Sequence, residues 1–353
     1  MERPDLTPAQ VGPNVAAMNR RRFLVTCLAG AVAAPFAAEA VSAEPVGVVT
    51  ELHVREGRIE IKPSDGDGWQ VAKPLRSLRP GDQIRATGPA RSVIVLAGTP
   101  DVIVITATNS PFVVPPPRPS TLLERTKSKL REGKETVAGE RKKAQVRVGA
   151  VSSLQTMPGG KTYKEMAVRS VRAQPPIILA PRDTRVLPGA LAFDWAGSDR
   201  LKYSVKLRGP QGAVLWERAN VQSRPVSYPA TAPKLAPSAR YTWELSTREH
   251  GVQKASFEVA SVADTARVTE ALGALAPGTA ESHPPVTLAL MRAGLLFKES
   301  LYADARRELV TAIGTSPDEP TLHLVLGHVY DRTGLLYLAS SEFDQATALA
   351  APR

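Results

Sequence analysis

The chain has 353 residues, with 45 Lys+Arg against 34 Asp+Glu, a formal net charge of +11. A single cysteine excludes both a thiolate metal cluster and a disulfide framework. With 31 prolines, above the usual ~5%, and only 5% aromatics, the composition argues against one large helical enzyme core. It favours small β-rich modules joined by Pro-rich segments. The positive balance favours acidic surfaces as partners without itself defining a site.

Residues 19–24 read Asn-Arg-Arg-Arg-Phe-Leu, an apolar run continues to Ala34, and Val41-Ser42-Ala43 precedes Glu44. A charged start, a short apolar stretch and a small-residue end form an export signal over residues 1–43. The paired arginines followed by Phe-Leu resemble a twin-arginine signal. The apolar stretch of roughly 11–15 residues falls short of the ~20 of a spanning helix. Two alternatives stand beside cleavage after Ala43: an uncleaved anchor, and lipidation at Cys27, where Thr26 is bulkier than the usual Gly or Ala. A mature chain from residue 44 carries no cysteine and no later apolar run of 18 residues. The expected location is periplasmic or otherwise exported, with no transmembrane segment in the mature chain and no nucleic-acid partner.

Residues 44–114 read as short strands, among them Val46-Gly47-Val48-Val49, the period-2 run Arg58-Ile59-Glu60-Ile61-Lys62, Ser92-Val93-Ile94-Val95-Leu96 and Val102-Ile103-Val104-Ile105. Gly66-Asp67-Gly68 and Pro80-Gly81-Asp82 mark turns. The order of a Gly-x-Val strand, Trp69, then Pro-Leu-x-x-Leu-x-x-Gly-Asp-x-Ile over residues 74–84, then two apolar strands, resembles the extracytoplasmic FecR-type β domain. Gly98-Thr99-Pro100-Asp101 departs from that family's Asp-Gly turn. Members that signal for iron carry a transmembrane helix and a cytoplasmic anti-sigma segment, and neither pattern is seen here. The resemblance therefore implies a β-rich envelope module and not transmembrane signalling.

Residues 115–174 read as a Pro-rich and basic linker. Three successive prolines at 115–117 favour an extended polyproline segment. Residues 125–143 hold eight Lys/Arg and three Asp/Glu in helix-forming company. A solvated connector is the plain reading, and a basic arm for nucleic acid, anionic lipid or acidic polysaccharide is the sharper one, with nucleic acid disfavoured for an exported chain.

Residues 175–261 show strands at roughly 8–12 residue spacing, separated by turn signals such as Gly209-Pro210-Gln211-Gly212, the signature of a β sandwich. Phe193 with Trp195, Tyr203 with Val205 and Leu207, and Tyr241 with Trp243 fall on single strand faces. They are expected to fill an inter-sheet core, with an aromatic carbohydrate platform as the competing reading. The segment resembles immunoglobulin or fibronectin-III-like domains, without the cysteine pair of the true immunoglobulin type.

Residues 262–353 carry a 34-residue period. With Pro320 as position 1, Leu326, Gly327, Tyr330, Ala339, Phe343 and Ala346 fall at 7, 8, 11, 20, 24 and 27. With Val286 as position 1, Ala293, Leu296, Ala305, Leu309, Ala312 and Pro317 fall at 8, 11, 20, 24, 27 and 32. These resemble two tetratricopeptide repeats, a helical-hairpin unit whose positions 8 and 20 stay small where the helices cross. Two such hairpins need cover at the ends of the stack, and residues 264–275 have helical spacing suited to the front. The resemblance implies a concave groove lined by Thr287, Leu290, Met291, His323 and Leu324, the candidate partner-binding residues.

Motifs for chemistry are sparse. Gly159-Gly160-Lys161-Thr162 lacks the first glycine of a phosphate loop, since Gln155 stands there. His323 and His328 are five apart and do not share a helix face. Asp65-Gly66-Asp67-Gly68 lacks the spaced carboxylates of a calcium loop. The expected fold is therefore multidomain: a FecR-like β domain and an immunoglobulin-like sandwich, mainly β, followed by an all-α tetratricopeptide-like pair. The expected function is an exported, non-enzymatic scaffold or adaptor that binds an envelope protein or peptide, with no catalytic residue, cofactor or metal. The alternative is a peptidoglycan- or polysaccharide-binding module for which an anionic glycan is the partner.

Overall fold

In a computed structural model, the described residues are 44–54, 56–97, 99, 102–116, 134–157, 175–189, 191–276 and 283–351. The export signal at 1–43, the phosphate-loop lookalike at 159–162 and most of the turn at 98–101 lie outside them. Sixteen strands in four sheets and six α-helices are present among the described residues.

The first eight strands are β1 (Gly47–His53), β2 (Arg58–Lys62), β3 (Gln70–Val71), β4 (Ser77–Leu78), β5 (Gln83–Thr87), β6 (Arg91–Leu96), β7 (Val102–Ile105) and β8 (Phe112–Val113). They form two antiparallel sheets, ordered β4-β1-β6-β7 and β3-β2-β5-β8. Ile59 and Ile61 of β2 and Ile84 of β5 point inward by strict alternation, and meet Val49, Leu52 and Ile94 from the other sheet. β1 is buried over nearly its whole length, so both its faces are covered. A bulge between Val49 and Glu51 interrupts its register with β6. The extra residue breaks the alternation, so the consecutive polar side chains Thr50 and Glu51 both turn away from the intersheet core.

Helix α1 (Lys134–Gln155) lies inside the segment expected to be a linker. Its C-terminal part is structural: Ala150, Val151 and Leu154 are fully buried, and the Gln155 side-chain amide donates to the Gly47 carbonyl of β1 at 2.7 Å. The expected 115–174 linker is thus packed against the fold at residues 150–155, while the side chains of the basic stretch at 125–143 lie outside those described. The apolar residues at 150, 151 and 154 recur at helical spacing and seat on a helix far downstream.

The second β module contains β9 (Ile177–Ala180), β10 (Thr184–Val186), β11 (Ala192–Ala196), β12 (Tyr203–Arg208), β13 (Val214–Val221), β14 (Val226–Ser227), β15 (Arg240–Ser246) and β16 (Gln253–Val259). A five-stranded sheet, β10-β16-β15-β12-β13, faces a three-stranded one, β14-β11-β9. Phe193, Trp195, Tyr203, Tyr241, Trp243 and Phe257 are all at most 3% exposed and form the core between them. Phe193 sits 4.9 Å from Trp243 and Trp195 5.1 Å from Tyr203, centroid to centroid. These aromatics are interior packing and offer no sugar platform.

The C-terminal helices are α2 (Val262–Ala274), α3 (Pro285–Lys298), α4 (Tyr302–Thr315), α5 (Pro320–Arg332) and α6 (Leu336–Ala350). The pairs α3/α4 and α5/α6 are successive hairpins in the expected 34-residue phase. Ala293, Ala305 and Ala339 are completely buried, as close helix crossing requires. Gly327 faces Phe343 so tightly that a Cβ at 327 would lie 2.4 Å from the ring. One apolar cluster runs through α2 to α6 and takes in Val151 and Leu154 of α1 and Val48 and Val95 of the first β module. The described residues from 44 to 351 thus fall in one compact unit. No helix among the described residues is long and apolar enough to cross a membrane.

Candidate functional site

The hairpin helices begin poorly. Pro284, Leu301 and Leu335 occupy the N-cap positions of α3, α4 and α6, and none supplies a side-chain cap. The first amides of a helix are then orphan donors, and buried orphan donors are costly. The β modules satisfy two of the three helices. Glu51 of β1 accepts from the Thr287 amide at 3.1 Å and from the Thr287 hydroxyl at 2.5 Å, capping α3. Thr184 of β10 accepts from the Tyr302 amide at 2.8 Å, capping α4.

At α5 the arrangement is reciprocal. Glu319 caps its own helix through the Thr321 amide, and its carboxylate also accepts from the Leu52 amide of β1 at 3.1 Å. The bulged strand is therefore held by two carboxylates, one reaching out from it and one reaching in. Thr50 completes the contact, its hydroxyl 3.1 Å from that of Thr287.

His53 alternates onto the same side of β1 as Glu51, two residues away. Its Nε2 lies 3.2 Å from a Glu51 oxygen and 3.7 Å from a Glu319 oxygen. One donor atom from each of Glu51, His53 and Glu319 falls within 4.8 Å of the others, a mixed oxygen–nitrogen set that could hold a metal. The two carboxylates are 2% and 1% exposed, while a third of the His53 side chain reaches solvent. Burial pushes Glu51 up, but hydrogen bonds from His53 and Thr287 outweigh it and hold its carboxyl below the usual range. Burial dominates at Glu319, and its carboxyl titrates above the usual range. A cleft of about 700 Å³ opens beside the trio, lined by His53, Glu56, Arg91, Pro317, Asp318 and Glu319 among others.

The five residues expected to line an open groove are all covered by this chain. Thr287 bonds to β1. Leu290 and Leu324 lie in the large apolar cluster, and Met291 packs among Ala150 of α1 and Ala271 and Leu275 at α2. His323 is 8% exposed; its Nδ1 lies 2.7 Å from Glu342 and its Nε2 2.9 Å from the Pro317 carbonyl. Burial opposes the imidazolium, but these two acceptors favour it more, and His323 titrates above its ordinary value. The open groove is thus corrected: α1 and β1 occupy it. Glu51, His53 and Glu319 drew no attention in the sequence because 266 residues separate His53 from Glu319. The period-2 spacing of Glu51 and His53 was the one local signal.

No family model and no curated protein matches this chain.

Proposed function

We propose that the chain is an exported, non-enzymatic adaptor of the cell envelope, built from a FecR-like β domain, an immunoglobulin-like sandwich and a tetratricopeptide-like pair. The observation that carries the reading is the way the hairpins treat β1: two stacked helix pairs clamp an extended strand by its backbone amide and by polar side chains at the helix starts. A surface built to hold one strand is suited to presenting a fixed assembly to another protein. With Thr287, Leu290, Met291, His323 and Leu324 covered, the partner surface moves outward. Leu336 and Tyr337 at the start of α6, 44% and 56% exposed, are its first candidates.

The test is a tagged full-length chain recovered from its own envelope after photo-crosslinking at position 337. A single protein captured in stoichiometric amount, lost in the Tyr337→Ser variant, supports the adaptor. Retention on purified cell-wall sacculi in ~0.5 M salt, where simple charge attraction is screened, with no crosslinked protein, overturns it in favour of a glycan-binding module.

A further inference from the structure

We propose that Glu51, His53 and Glu319 form a binding site for one divalent transition-metal cation, of the zinc or manganese class, bridging β1 and the start of α5. The inference is independent of the adaptor reading.

Geometry comes first. Ligands about 2.1 Å from a common ion lie roughly 3.0–3.4 Å apart in octahedral or tetrahedral coordination. The two edges that meet at His53 Nε2 are 3.2 and 3.7 Å, and the third does not exceed 4.8 Å. Side-chain shifts below an ångström close the set. The three donors are on two mounts, Glu51 and His53 on β1 beside its bulge and Glu319 at the N-cap of α5, and hydrogen bonds from Thr287, Leu52 and Thr321 orient both carboxylates. Such oriented ligands are the usual support of a metal site.

A second observation concerns the proton on His53. Arg91 Nη2 lies 3.1 Å from His53 Nε2, and a guanidinium only donates, so this contact needs a lone pair on Nε2. The Glu51 oxygen 3.2 Å from the same atom only accepts when ionised, so that contact needs a hydrogen there. One nitrogen cannot do both. The Nε2 lone pair serves one cation at a time, so a metal ion held by that nitrogen and both carboxylate oxygens would take the place of the Arg91 guanidinium. Arg91, an exposed side chain, then swings away.

Charge and access agree. Two carboxylates almost sealed from water are groups whose charge buried sites offset by pairing or by metal. The adjoining cleft is lined by Glu56, Asp318 and Glu319 together with Arg91. It gives a cation a path in and leaves room for water on the remaining coordination positions. An imidazole with two carboxylates suits zinc, manganese or ferrous iron better than the all-oxygen preference of calcium or magnesium.

The experiment is calorimetric titration of the chelator-treated full-length chain with zinc chloride, then cobalt(II) binding followed by its visible spectrum. One equivalent per chain is expected, with binding weakened at least ~10-fold in His53→Ala, the lower bound set by losing merely a supporting residue of a metal site. Glu319→Gln, which keeps an N-cap acceptor, should weaken binding similarly if His53→Ala proves unstable by circular dichroism. Arg91→Ala should bind at least as tightly as the parent, because it removes a competitor for Nε2. A chain that takes up no zinc, or variants at 53 and 319 with unchanged stoichiometry, affinity and cobalt spectrum, would overturn the proposal.

Discussion

Single side chains decide how closely the helices approach. At Gly327 the helix gives up propensity so that the Phe343 ring can lie against its backbone. Alanine there gains ~1 kcal/mol of helix propensity but overpacks a rigid aromatic at a cost of about 1–3 kcal/mol. Gly327→Ala should therefore lower the unfolding free energy in urea, and adding Phe343→Leu should recover part of the loss. Thr184 works by hydrogen bonding instead. Its hydroxyl stands in for the cap that Leu301 cannot provide, and it also lies 3.0 Å from the Ser300 carbonyl. Thr184→Val preserves the shape and removes the acceptor, so a loss of about 1–2 kcal/mol is expected. An equal stability in the two proteins would show that α4 needs no cap from the sandwich.

Among elements, α1 shows the gap between composition and role most clearly. Its N-terminal half is rich in charge, and by composition the whole segment reads as a tether. Among its described side chains, the buried ones lie in the last turns, where Leu154 presses on Gly294; a Cβ built at 294 would come within 3.1 Å of the leucine. Because Leu154 is fully buried, Leu154→Ala should cost about 2–5 kcal/mol by loss of burial plus a cavity. A connector with no packing role would lose well under 1 kcal/mol, within the range of ordinary surface changes. The same seating explains how two hairpins suffice. Stacks of this kind usually need about three, and α1 with β1 supplies the missing cover, beside the α2 cover that residues 264–275 suggested.

Across the whole molecule, the sandwich is joined to the helices by a charged network. Asp264 of α2 is held at about 2 by Arg185 of β10, and further by Arg267 and Ser261. Arg267 also pairs with Glu299 after α3 through two hydrogen bonds, of 2.6 and 2.7 Å, and holds that carboxyl below its usual range. A carboxyl depressed on folding stabilises the fold at pH above its unfolded value of ~3.9, and that stabilisation fades as pH falls through the folded value. Stability measured by denaturant should therefore drop between about pH 4 and pH 2. Asp264→Asn should flatten that slope. An unchanged slope would show that the network contributes nothing to the junction. Exposure of Asp264 and Arg267 to solvent keeps the effect modest and sensitive to salt.

The sequence by itself determined what depends on near neighbours. Alternation placed Ile59, Ile61 and Ile84 inside the first sheets, two-residue spacing put the aromatics of the sandwich on interior faces, and the 34-residue phase located the hairpins and the small residues at their crossings. Each is a periodic rule in which the chain reports its own inward face. Only the tertiary structure decided what those faces meet. The bulge that turns Glu51 toward α3, the filling of the groove by β1 and α1, and the meeting of Glu51, His53 and Glu319 all join residues more than a hundred positions apart. They rest on hydrogen-bonding demand at helix starts and on shape, and neither leaves a period in the sequence. A helix whose N-cap is Pro284 announces only that its amides need an acceptor; which glutamate answers is settled by how the sheets pack.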